Sequence, residues 1–112
     1  MTPEELLNHA VSFAFYPTGS PEDDINRSTF RISVERRGIG DAWAVVHMGE
    51  VWDGNCWVYE HIPSERTDEF KARTRFPLMT AVEIATRLVD EVVVNGGTYA
   101  QWMERFSHRK DA

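Results

Sequence analysis

The side chains in this 112-residue chain best suited to chemistry are four histidines, His9, His47, His61 and His108, and one cysteine, Cys56. Metal sites need ligands at spacings that let two or more side chains converge, as in HExxH helices or CxxC knuckles. No pair here has such a spacing, so neither a metal nor a cofactor is expected. His61 follows Glu60 and could pass a proton with it. Neighbours on a strand point to opposite faces, which argues against that pairing. Cys56 would need a base to become a nucleophile, and the sequence offers no evident partner. Gly38-Ile39-Gly40 resembles part of a phosphate loop but lacks the third glycine and the helix, so it reads as a hairpin turn. Gly96-Gly97 precedes a helix and could hold an anion, but its reading is a helix terminator. No catalytic residue is assigned.

The charged residues narrow the field further. Arg66, Lys71, Arg73 and Arg75 form the one basic run, interleaved with Glu65, Asp68 and Glu69, which reads as a solvated face. The formal net charge is −6, which argues against duplex nucleic acid as a partner. Glu22-Asp23-Asp24 is too small an acidic array to imitate DNA. With one cysteine there is no internal disulfide framework. The N-terminus lacks a signal peptide's basic and apolar regions, and no apolar run approaches the ~18 residues of a membrane span. The expectation is one cytoplasmic domain over 1–112, with 107–112 as a frayed tail.

These residues sit on elements that the patterning predicts. Thr2-Pro3-Glu4-Glu5 starts a helix. Leu6, Leu7, Ala10, Val11 and Ala14 continue it to Pro17, with Phe13 and Phe15 flanking the stripe. Thr29 to Arg37 alternates as a half-buried strand. Ala42 to Trp52 is apolar on both faces and reads as one central strand. Cys56 to His61 is a third. The stretch Ser64 to Phe76 holds a short helix around 65–72 and a short fourth strand near 73–76. Thr80-Ala81-Val82-Glu83 opens a long helix to about residue 94, and Thr98-Tyr99-Ala100-Gln101 opens the last. The order α-β-β-β-(β)-α-α predicts an α+β fold, an antiparallel meander of three to four strands with helices packed on it.

Register divides the meander's aromatics. The Ile39-Gly40 connection sets Val34 opposite Val45. A two-residue turn at Asp53-Gly54 sets Val51 opposite Cys56; a three-residue turn would exchange the third strand's faces. With the two-residue turn, Phe30, Ile32, Val34, Trp43, Val45, Val51, Cys56 and Val58 form a core face. Val46, Met48, Trp52, Trp57 and Tyr59 then form a second apolar surface. A helix could cover it. Alternatively it is a protein-binding or homodimer surface, because contiguous exposed apolar residues mark interaction sites. Those five are the candidate partner-binding residues.

Three segments, Trp43-Ala44-Val45-Val46-His47, Trp52-Asp53-Gly54-Asn55-Cys56-Trp57-Val58-Tyr59 and Pro63-Ser64-Glu65-Arg66-Thr67-Asp68-Glu69-Phe70, give the chain a texture that resembles small accessory proteins of actinobacterial phages. That resemblance spans about residues 30–106 and implies a small host- or phage-directed binding protein in the host cytoplasm. It carries over no site residues. The leading expectation is therefore a non-enzymatic interaction module. The alternatives are a small enzyme or ligand binder with a pocket between sheet and helices, using His61, Glu60 or Cys56, and a nucleic-acid-associated protein using Arg66–Arg75.

Overall fold

The computed structural model describes residues 1–110 and all their side chains except those of Glu4, Leu7, Asn8, His108, Arg109 and Lys110. Its centre is a five-stranded antiparallel sheet in the order β1-β2-β3-β4-β5, each strand beside its sequence neighbour. This is the expected α+β meander, enlarged by two strands.

The first added strand comes from the end of the predicted N-terminal helix. Thr2 Oγ1 accepts from the Glu5 amide at 3.1 Å, and helix α1 spans only Pro3–His9. Strand β1, Ser12–Phe15, follows. Phe13 lies opposite Val34 and Phe15 opposite Ile32 on β2, Ile32–Arg36. Both rings pack on the core. Period-two spacing puts Phe13 and Phe15 on one sheet face, whereas a helix would turn them apart.

The second comes from breaking the predicted central strand. Strand β3 is Trp43–His47 and β4 is Glu50–Trp52, with Met48 and Gly49 as the two-residue turn between them. Met48 has φ 49° and Gly49 φ 82°. Two successive positive φ values are the signature of the hairpin turn that matches strand twist. Glycine adopts this freely; methionine does so at a cost of about 1 kcal/mol. The turn sets Val46 opposite Val51 and His47 opposite Glu50. Val51 thereby joins the face of Ala44 and Val46, and Trp52 joins that of Val45 and His47. This reverses the face assignment that a continuous strand requires.

The next connection also departs from expectation. Strand β5 is Trp57–Tyr59, with Val51 opposite Val58 and Trp52 opposite Trp57. Four residues, 53–56, form the loop rather than two. Asp53 Oδ1 accepts from the amides of Asn55 at 2.8 Å and Cys56 at 2.7 Å. The side chain of Asp53 thus imitates a backbone turn and stabilises the longer loop. The β2–β3 register is the expected one, Val34 opposite Val45.

Helices cover both faces. Helix α2, Asp68–Thr74, is capped by Thr67, whose Oγ1 accepts from the Phe70 amide at 3.1 Å. Phe70 packs with Ala44 and Val51 on one face. The expected fourth strand near 73–76 contracts to a single bridge between Phe76 and Trp43. Helix α3, Leu78–Leu88, lies on the other face with Ala81, Ala85 and Leu88 buried. Its cap is not Thr80 but Asp41, whose Oδ1 accepts from the Leu78 amide at 2.9 Å and from Trp43 Nε1 at 3.1 Å. The helix ends at Leu88 rather than near residue 94. Val89 and Val92 still reach the core. Asn95 and Gly96, with φ 51° and 87°, then turn the chain sharply. Thr98 and Gln101 cap helix α4, Tyr99–Lys110, reciprocally, at 2.9 and 3.3 Å. The helix continues through 107–110, which the sequence assigns to a tail; residues 111 and 112 lie outside the described part.

Candidate functional site

The β3–β4 turn and the segment after α3 enclose a cleft of about 660 Å³. His47, Met48, Glu50, Trp52 and Trp57 form its sheet wall, and residues 88 and 91–95 form the opposite wall. Cross-strand pairing puts the Trp52 and Trp57 rings edge to face, with centroids 5.3 Å apart and planes at 68°. His47 lies 5.7 Å from Trp57, centroid to centroid. Its Nε2 is 3.0 Å from the Thr29 carbonyl oxygen. A carbonyl can only accept, so Nε2 donates its proton to it.

Glu50 and Glu91 supply negative charge to this cleft, and its described lining contains neither Lys nor Arg. Arg87 meets Glu91 only at 4.0 Å in an exposed pair, a geometry that leaves the carboxylate largely available. At the mouth, Met48 is 71% exposed although its backbone is left-handed. Asn or Gly usually occupies that turn position. An exposed apolar side chain in an unfavourable conformation, beside an aromatic cleft, is a pointer to binding.

The five sequence candidates do not form one surface. Met48, Trp52 and Trp57 meet in the cleft. Val46 lies on the opposite face with Val51 and Val58, against the cluster around Phe70. Tyr59 pairs with Glu50 across the strands and is exposed, its ring 5.6 Å from His61. Nothing in the local sequence pattern points to Glu50, Glu91 or Asn95 as site residues. Glu50 carried no signal while β3 and β4 read as one strand, and Asn95 read only as a helix stop.

The residues named for catalysis occupy different environments. Cys56 is exposed, and desolvation and the Asp53 carboxylate hold its thiol above the usual range, which disfavours the thiolate. His61 packs edge-on against Phe70 at 5.0 Å. Glu60 is engaged by arginines. Arg37 donates Nε to Oε1 at 2.7 Å and Nη2 to Oε2 at 2.9 Å. Arg66 Nη2 and Arg75 Nη2 reach Oε1 at 3.2 and 3.3 Å. The hydrogen bond from Arg37 above all, opposed by desolvation, holds the Glu60 carboxyl below its ordinary value. It is therefore an anchor for cations and a poor general acid. Among the described residues no group of three or more His, Cys, Asp or Glu side chains is placed to hold a metal ion, and no helix is long and apolar enough to cross a membrane.

Arg66 and Arg75, read from the sequence as part of a solvated face, are instead half-buried. With Arg37 they line a second cleft, of about 590 Å³, at the end of α2. Comparison with known proteins adds no relative: no family model, no curated protein and no solved structure matches the chain.

Proposed function

We propose that the protein is a non-enzymatic interaction module whose aromatic cleft takes a basic segment of a protein partner. The observation that carries this reading is the edge-to-face pair of Trp52 and Trp57, with Glu50 and Glu91 beside it and no lysine or arginine in the described lining. Aromatic faces attract cations, and nearby carboxylates add direct charge pairing. The net charge of −6 steers basic partners toward the chain. Met48 and Val93, 71% and 61% exposed, extend the contact with apolar area. The resemblance to phage accessory proteins accords with a host- or phage-directed binding role.

The test is calorimetric titration with tetralysine, tetraarginine and tetraglutamate peptides. Saturable binding of a basic peptide is expected, lost in Trp57→Ala and weakened several-fold in Glu91→Gln. Binding of tetraglutamate alone, or basic-peptide binding indifferent to both substitutions, would overturn the assignment. Sedimentation in parallel separates a foreign partner from a second copy of this chain: a dimer dispersed by basic peptide would place self-association in the same cleft.

A further inference from the structure

We propose that the cleft between the loop after β2 and helix α2 binds a phosphate group through Arg37, Arg66, Lys71 and Arg75. All four line it, and Asp68 is the one carboxylate that does. Glu60 and Glu35 are not in that lining. The carboxylate to which three guanidiniums bond therefore stands behind them and leaves a positive surface in an acidic chain.

That surface is held in place before any ligand arrives. Arg37 is fixed by two bonds to Glu60 and one to Glu35 at 3.3 Å. Arg66 Nε donates to the His61 carbonyl at 2.7 Å. Arg75 Nη1 donates to Thr74 Oγ1 at 3.1 Å. Their side chains are 21%, 19% and 11% exposed. Ordering long side chains is a main cost of binding, and here the fold has already met it. Donors remain: neither Arg66 Nη1 nor Arg75 Nε bonds a described residue, and Lys71 is exposed. Crowding of like charge acts in the same direction. Burial above all pushes the Arg75 pKa down, Glu60 opposes the shift, and Arg37 and Arg66 reinforce it. A second anion would relieve that crowding.

A phosphate fits better than a carboxylate. Its charge approaches −2 and its three free oxygens match several forked donors. The cleft exceeds a bare phosphate in size, and Ala42, Pro63 and Ala72 give it apolar wall. Room thus remains for a compact organic portion.

The test is an amide NMR titration of the full chain with inorganic phosphate, ribose 5-phosphate and acetate, repeated in Lys71→Gln and Arg66→Gln. Saturable shifts at Gly38 and Ala72 are expected, with affinity about 10-fold weaker in Lys71→Gln and acetate weaker still. Tighter binding of ribose 5-phosphate identifies a phosphorylated small molecule; equal binding identifies free phosphate. Lys71 is exposed, so its variant retains the fold and keeps the test decisive if Arg66→Gln does not. The proposal is overturned by no saturation at concentrations on the order of 10 mM, or by equal affinity in Lys71→Gln. It is also overturned if a single-stranded oligonucleotide binds there while ribose 5-phosphate does not. None of these outcomes depends on Trp57, so this site and the aromatic cleft stand or fall separately.

Discussion

The two clefts lie on opposite faces of one sheet and are built by opposite means. On the α3 side, rings and an unfavourable turn stand beside Glu50 and Glu91, the latter met by Arg87 only at 4.0 Å in an exposed pair. On the α2 side, three guanidiniums crowd around one carboxylate and outnumber it. The contrast teaches that a half-buried charge cluster and an open binding surface place different demands on a chain. The arginines need Glu60 in order to fold together at all. The tryptophans need the β4–β5 register that the 53–56 loop sets, and the Met48-Gly49 turn that places Trp52 on the face of His47.

Removing Glu60 breaks the comparison most severely. Glu60→Gln leaves Arg66 and Arg75 without their counter-ion and Arg37 with Glu35 alone. Breaking a buried pair costs about 3–5 kcal/mol, and at 11% side-chain exposure the expected loss is about 2–3 kcal/mol by urea denaturation. The pH dependence has a definite sign. Because the folded pKa is lowered, the Glu60 contribution is complete above the ordinary glutamate value of 4.5 and is lost as pH falls below it. Wild type should therefore show a steeper acid decline than Glu60→Gln, with the aromatic cleft's peptide affinity unchanged where both are folded.

Trp57→Ala attacks the other region. It removes the partner of both Trp52 and His47, and the ring is half-buried, so about 2 kcal/mol of stability should go with peptide binding. Its acid profile should match that of wild type, because Glu60 is untouched. Met48→Asn sharpens the contrast by separating stability from binding. Asparagine suits the left-handed turn, so melting should report a gain of about 0.5–1 kcal/mol, while calorimetry should report weaker peptide binding. Glu91→Gln has the smallest effect on stability, within about 0.5 kcal/mol as for most exposed sites, and its signature is a reduced salt dependence of peptide affinity.

Much of this architecture was legible from the chain. The caps at Thr2 and Thr98, the β2–β3 register and the α+β class follow from local pattern, because each rests on residues a few positions apart. The break at Met48-Gly49 was not legible. Methionine carries no turn preference, and apolar residues continue on both sides of it. At Asp53 the turn was evident but its length was set by a side-chain oxygen, which no backbone rule counts. Phe13 and Phe15 had the spacing of a strand, but the helix start before them and Pro17 after them outweighed it. Arg37, Glu60, Arg66 and Arg75 are brought together only by tertiary folding, so no spacing could announce them.

Asp41 has a consequence for how the chain reaches this state. Its one carboxylate oxygen holds the Trp43 indole at the start of β3 and the first amide of α3. The helix can gain its cap only when the loop joining β2 to β3 has taken shape. The hairpin loop and the helix start, far apart in sequence, thereby share one capping carboxylate, and Asp41→Ala would loosen both ends at once.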